Sequence, residues 1–343
     1  MLKYINESTN TQEEYGYACA RVRELEKSLL SQELLDKLVE STNLENAIKI
    51  LAESNIDEYI FNKSISIVAL DKALENILKN TINLIDEIAP YPYLFQLFNW
   101  KYDFHNLKVL LKAKILAKKE IFPIYEIGNI SQDILKSAVF EGKYQSVPIK
   151  IERFIKQSEE EYMKSEDIQL IENLLDRGYY EILFNQLEDI NQPFLFYYYK
   201  TEVDLLNIMI ACRSKIRDIK KSKLSEILIK YGSFSPQKFI NIYDNSVHSW
   251  PNYFNKSDYA SVLENGIKYW QEEKSLIELE RLVDNFLLNL LKIGKYNTFG
   301  LESVIAYYYA KENDIKNIRI IINSKRNLLP KEIIRKIIRD TYV

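Results

Sequence analysis

Asp103-Phe104-His105-Asn106-Leu107, with Lys114 beyond it, is the stretch on which the reading of this chain turns. It returns as Asp204-Leu205-Leu206-Asn207-Ile208 with Lys215, and again as Asp314-Ile315-Lys316-Asn317-Ile318 with Lys325. In every copy Asn stands three residues after Asp and Lys eleven after it, and a small residue (Ala113, Ser214 or Ser324) precedes the Lys. Self-similarity at a long period means one architectural unit used three times. The copies lie 101 and 110 residues apart. Arrays built from single helix pairs repeat about every 34 to 47 residues, so each unit here is a small bundle.

Other landmarks recur in register. An aromatic, apolar stretch precedes each motif: Tyr93 to Phe98, Phe194 to Tyr199 and Val304 to Tyr309. Upstream of these, an acidic residue stands at a nearly constant distance: Glu75 and Asp176 lie 28 residues before their Asp, and Asp284 lies 30 before its own. A helix start opens each unit, with Ser31, Ser131 and Ser235 at the N-cap position and Leu30, Ile130 and Phe234 before them. A Ser cap flanked by apolar residues is the pattern of a stapled helix N-terminus. Pro236 suits the first helical position, where its missing N–H costs nothing. Leu329-Pro330 marks a further start for the last helix. The landmarks divide the chain into units 1–127, 128–231 and 232–343.

Composition agrees with helix throughout. The 343 residues hold only 8 Gly and 8 Pro, and hairpins depend on those residues. Tyr15 to Leu30, Ile67 to Ala89, Val147 to Leu174 and Ser275 to Leu291 carry apolar residues at i, i+3, i+4 and i+7, the signature of amphipathic helices. Breaks are expected at Pro90-Tyr91-Pro92, near Pro123, at Asn191 to Pro193 and around Ser249-Trp250-Pro251. The fold class is all-α.

Little points to bond chemistry. There is no phosphate-cradling Gly-x4-Gly-Lys-Ser/Thr, since Gly142-Lys143 and Gly294-Lys295 are each followed by Tyr. His105 and His248 are isolated from metal-ligand spacing, and Cys19 and Cys212 lie in apolar helical patterns. No catalytic residue, metal ligand or cofactor is assigned. The Asp-x-x-Asn-(x)7-Lys residues keep the same types in all three copies, whereas a catalytic site would let one copy diverge. A structural task follows: carboxylate and amide satisfying backbone groups of a neighbouring helix end, or pairing with a basic side chain.

Charge is uneven along the chain. The net charge is -3, which gives no whole-chain bias toward nucleic acid. Glu152 to Asp189 holds eleven acidic and four basic residues, and Lys311 to Val343 nine basic and four acidic. Such runs are solvated faces or docking surfaces of opposite sign. The longest apolar runs fall short of a membrane-spanning helix.

The segment Tyr15-Gly16-Tyr17-Ala18-Cys19-Ala20-Arg21-Val22-Arg23, the first motif, and the ending through Asn317, Lys325, Leu329-Pro330, Arg335 and Tyr342-Val343 together resemble the C subunit of archaeal and bacterial V/A-type rotary ATPases. That family is the counterpart of the d subunit of the eukaryotic vacuolar enzyme. The resemblance implies a funnel of three similar helical bundles about a pseudo-threefold axis. It also implies a non-catalytic role in the central stalk, between the rotor shaft and the membrane proteolipid ring, on the cytoplasmic side of the membrane. Those two assemblies are the expected partners, with torque passed between them and no nucleic acid involved. Arg21, Arg23, Arg335 and Arg339 are candidates for the partner interfaces, against the plainer reading that their heads rest on helix ends inside the unit. The rival class is an unrelated helical-repeat scaffold.

Overall fold

The computed structural model describes residues 13–54, 67–91, 96–117, 124–190, 192–296 and 299–343, and among them there is no strand. Sixteen α-helices are described. They run α1 Gly16–Leu25, α2 Gln32–Glu40, α3 Leu44–Ala52, α4 Ile67–Ile88, α5 Gln96–Ile115, α6 Gln132–Glu141, α7 Ile149–Ser165 and α8 Ile168–Ile190. They continue with α9 Pro193–Ile216, α10 Lys221–Ile227, α11 Pro236–Ile242, α12 Trp250–Tyr253, α13 Ala260–Glu273, α14 Ile277–Lys292, α15 Leu301–Arg326 and α16 Lys331–Ile337. The chain forms two compact units, Pro92–Asp244 and the combination of Met1–Tyr91 with Asn245–Val343.

Within the unit of Pro92–Asp244, α5 packs against α6, α7 and α8. Trp100, Phe104, Leu107 and Leu111 of α5 meet Leu135, Val139, Phe154 and Leu175 in one buried cluster. The α9 helix is buried on most of its circumference, from Phe194 through Tyr199 and Val203 to Cys212. An all-round apolar helix is a central one. Within the other unit, α15 has that character, and it packs against α1, α2, α3, α4, α14 and α16. The three helices that carry the repeated motif are thus the ones most enclosed by their neighbours, and an apolar stretch precedes each motif for that reason.

The apolar periodicity found α4 and α14 closely, but two expected boundaries differ. The run Val147 to Leu174 is two helices, because the chain turns through a left-handed residue at Glu166 (φ 53°) between α7 and α8. Apolar spacing continues across that turn, so periodicity alone could not show it. Around Ser249-Trp250-Pro251 the chain stays helical: a 3-10 turn, Val247–Ser249, leads directly into α12, and Pro251 occupies its first turn. Pro is tolerated there because no intrahelical N–H is required. The stretch Tyr93 to Phe98 and the break near Pro123 lie partly outside the described residues.

All three motif helices end alike. Ala117, Asp218 and Leu328, each three residues after the motif Lys, adopt left-handed backbone with φ of 47°, 54° and 55°. The following N–H then folds back: Ile219 donates to the Ser214 carbonyl at 2.9 Å and Leu329 to that of Ser324 at 2.9 Å. These are the six-to-one bonds of a Schellman ending, which ordinarily uses glycine. Leu328 is 88% exposed, so it gains no packing in return for its strained backbone. Leu328→Gly should stabilise the chain by about 1 kcal/mol, read as a higher urea midpoint with unchanged slope; a lower midpoint would contradict this account of the turn.

Candidate functional site

The Asp of each motif is buried and holds the backbone just before a Ser-started helix. Asp103 on α5 accepts from the Asn129 N–H at 2.9 Å and from Ile130 at 3.1 Å, immediately ahead of α6. Asp204 on α9 accepts from the Phe234 N–H at 3.1 Å, ahead of α11. Asp314 on α15 accepts from the Leu30 N–H at 2.8 Å, ahead of α2. First copy to second start, second to third, third back to first: the order is cyclic. The Ser side chain completes the start in two cases, Ser31 accepting from Leu34 at 3.2 Å and Ser131 from Ile134 at 3.4 Å. Ser235 sits at the cap position without a side-chain bond.

Lys takes the other end of the same helix. Lys114 donates to the Val139 carbonyl at 2.6 Å, in the last turn of α6, and pairs with Glu159 at 2.6 Å. Lys325 donates to the carbonyls of Val39, at 2.5 Å, and Ser41, at the end of α2. Lys215 lies 4.5 Å from the centre of the Tyr243 ring, at the end of α11. Val39, Val139 and Tyr243 each stand eight residues after their Ser. Eleven helical residues advance about 16 Å, and the ten residues of α6 about 15 Å. In the first copy the Asp-to-Lys spacing therefore matches the length of the helix being held.

Asn holds a third point. Asn106 donates to the Tyr125 carbonyl at 2.9 Å and accepts its N–H at 2.8 Å. Asn207 does the same with Ile229, at 2.8 Å in both directions. Asn317 does so with Arg339, at 3.0 and 2.8 Å. A side-chain amide carries one donor side and one acceptor side, so it imitates a strand partner and satisfies both backbone groups at once. Ile229 and Arg339 each lie just beyond a short helix, α10 and α16, so in those copies the amide fixes the chain returning from the left-handed turn.

Two glycines make room for the carboxylate. A Cβ on Gly128 would stand 2.5 Å from Asp103 Oδ1, and one on Gly232 would strike Asp204 Oδ1. Each lies three residues before the cap Ser, a signal the repeat carries in its sequence and that motif reading passed over. The third copy has Ser28 there, and the Lys311 ammonium donates to its carbonyl at 3.3 Å. The upstream acids find bases: Asp176 pairs with Lys108, and Asp284 with Lys316 and Arg339. Glu202 and Glu312, two residues before the later Asp residues, accept from the hydroxyls of Tyr180 and Tyr308.

The four arginines differ in surroundings. Arg21 is exposed. Arg335 pairs with Glu40 at the surface, beside Lys331. Arg23 pairs with Glu26 at 3.1 Å and donates to the Lys295 carbonyl. Lys295 in turn donates to the Tyr342 carbonyl at 2.9 Å, and the buried Tyr342 hydroxyl reaches Glu26. Arg339 is largely covered, with Asp284 at 2.7 Å and the Ile337 carbonyl as partners. Sequence reading did not foresee the link between Arg23 and Tyr342, which joins the first helix to the chain's last residues.

Burial pushes the Cys19 thiol up to about 11 and the Cys212 thiol to about 12, far from the thiolate a nucleophile needs. No group of three or more His, Cys, Asp or Glu placed for a metal occurs among the described residues, and no helix among them is long and apolar enough to cross a membrane. What the motif does is mechanical. The first and third copies hold a neighbouring helix at both ends, and each copy's Asn holds backbone at a further point.

A family model described as "ATP synthase (C/AC39) subunit" matches residues 18–337, a span containing all three motif copies. The chain belongs to the ATP synthase C/AC39 subunit family. Relatives of this C/AC39 chain are similar over nearly their whole length. The C subunit of the V-type sodium ATPase of Enterococcus hirae is 25% identical over 326 residues, 94% of this chain and 96% of its own. The C subunit of the A-type ATP synthase of Methanocaldococcus jannaschii is 27% identical over 342 residues, 93% and 85% of the two chains. That of Thermococcus kodakarensis is 24% identical over 349 residues, 95% and 90%.

Burial raises the Asp103 carboxyl to about 7, and its two backbone N–H partners only partly oppose that rise; burial likewise raises Asp314 to about 7. A carboxyl raised in the fold keeps its proton while the unfolded chain loses one above its ordinary value near 3.8. Its contribution to stability is therefore full below about pH 4, shrinks as pH rises to about 7, and is level beyond. Asp103→Asn turns an amide N–H₂ toward a backbone N–H and should cost about 1–3 kcal/mol. Urea midpoints at pH 5 and pH 7.5 should show the larger gap between the two proteins at pH 5; equal gaps would rule out this titration.

Proposed function

We propose that this C/AC39 chain is the non-catalytic central-stalk subunit of a V/A-type rotary ATPase, joining the rotor shaft to the membrane proteolipid ring and passing torque between them. The observation that carries the reading is the family match across residues 18–337, together with relatives named as the C subunits of V-type and A-type enzymes. The three units 1–127, 128–231 and 232–343 would form a closed, pseudo-threefold funnel. The cyclic order of the Asp bonds supports this, because each unit's Asp holds the start of the next and the third holds the first.

Torque transmission asks for stiffness rather than chemistry. A helix fixed only at one end can slide or pivot under load. One held by a carboxylate at its start and an ammonium at its end has both motions opposed by charge-assisted hydrogen bonds, which are shorter and stronger than neutral ones. Such a protein works on the cytoplasmic face of the membrane, peripheral to it, with shaft and ring as partners and no cofactor of its own. Arg21 and Arg335 are the stronger candidates for partner contacts, since Arg23 and Arg339 already hold internal carbonyls and carboxylates.

The test is affinity capture of the tagged chain from gently solubilised native membranes, with mass spectrometry of what is retained. Ring, shaft and ATPase head proteins should come down together. Arg21→Glu with Arg335→Glu should weaken that recovery without lowering the denaturation midpoint appreciably, as expected for exposed ion pairs. Capture of soluble proteins alone, with no rotary component among them, would overturn the proposal and leave a generic helical scaffold.

A further inference from the structure

The left-handed turns that close the motif helices share a composition that the internal clasp does not explain. Leu116 is 44% exposed, Ile216 56% and Leu328 88%, one branched apolar side chain standing out from the same turn in each copy. Single exposed apolar residues are ordinary on a protein surface. One at the same turn three times over is a pattern. In the third copy Leu329 and Ile333 are also exposed, at 40% and 41%.

Bases accompany the second and third turns. Arg326 and Lys336 flank Leu328 and form no ion pair with a described residue, while Lys331 and Arg335 share Glu40. After Ile216 come Lys220, Lys221 and Lys223, of which only Lys221 has a carboxylate partner, Asp244, among the described residues. After Leu116 the sequence continues Lys118-Lys119. From Arg326 to Ile333 every residue is exposed, so the third turn is a convex knuckle rather than a groove.

Leu328 violates two preferences at once: a branched side chain at a left-handed position that glycine would fill without strain, and a large apolar group in water. Local rules broken together, with no internal compensation, mark a residue that serves something outside the fold. A projecting apolar group with exposed cations near it in the chain matches one environment in particular. It fits the headgroup layer of an anionic bilayer, which accepts a shallow apolar insertion and attracts Lys and Arg.

We infer that the exposed turn and helix start from Arg326 to Lys336 are a contact point for anionic phospholipid headgroups. The inference rests on the proposed peripheral placement at a membrane and adds to it a direct lipid partner for this chain.

Sedimentation with vesicles tests it on the full chain. Vesicles of phosphatidylcholine with phosphatidylglycerol should retain the protein, those of phosphatidylcholine alone far less, and added salt should release it. Leu328→Gly, which should fold at least as well, is expected to lower retention roughly tenfold. Arg326→Glu with Lys336→Glu is expected to lower it roughly 25-fold or more, about fivefold for each lost charge. Equal retention on neutral and anionic vesicles, or retention indifferent to both variants, overturns the inference. So does loss of proteolipid-ring capture by Leu328→Gly without any vesicle binding by the unaltered chain, which would assign the turn to a protein partner and leave the rotary role standing.

Discussion

A carboxylate buried beside unpaired backbone N–H groups is the constraint from which the rest of this fold follows. The N–H groups ahead of α2, α6 and α11 lie outside any helix, and leaving one buried without an acceptor costs about 1–3 kcal/mol. Asp103, Asp204 and Asp314 supply the acceptors from central helices. Putting a carboxylate there has its own cost, visible in the raised proton affinity of Asp103 and Asp314. Room must be made for it, and Gly128 and Gly232 make it. Once the start of the helix is fixed, its far end falls about 16 Å along the motif helix, and there a Lys waits.

How much of this could be read from residues alone depends on which groups make each bond. Asp, Asn and Lys act through side chains, so their identities recur and the repeat is visible. Their partners act through backbone, so side-chain identity is free: Asn106, Asn207 and Asn317 meet Tyr125, Ile229 and Arg339, three residues with nothing in common. No pattern search could have paired them. The Ser-started helices were legible because capping uses a side chain, and the two glycines were legible in principle because close approach forbids a Cβ. The break at Glu166 was not, since an acidic residue in left-handed backbone has no signature and apolar spacing ran on across it. Lys215 shows the limit differently: the same residue at the same spacing rests on an aromatic ring where its counterparts donate to carbonyls.

The two classes of polar residue also divide labour. The motif residues face inward and hold helices to one another. The arginines of the first and last helices span a range, from the exposed Arg21 to Arg339, whose head is enclosed between Asp284 and the Ile337 carbonyl. Tyr342 belongs with the inward group, its ring 4.1 Å from the Lys295 ammonium and its hydroxyl toward Glu26. Polar residues placed this way fix geometry, bond by bond.

The bond from Leu30 to Asp314 joins residues 284 apart in sequence. A chain emerging from the ribosome at about 5 to 20 residues per second would expose Leu30 roughly 14 to 57 seconds before Asp314 exists. Over that interval α6 can already have met Asp103, made earlier on the same chain, whereas α2 has no carboxylate to meet. Of the three Ser-started helices, the first to be translated is thus the last to be secured by its carboxylate.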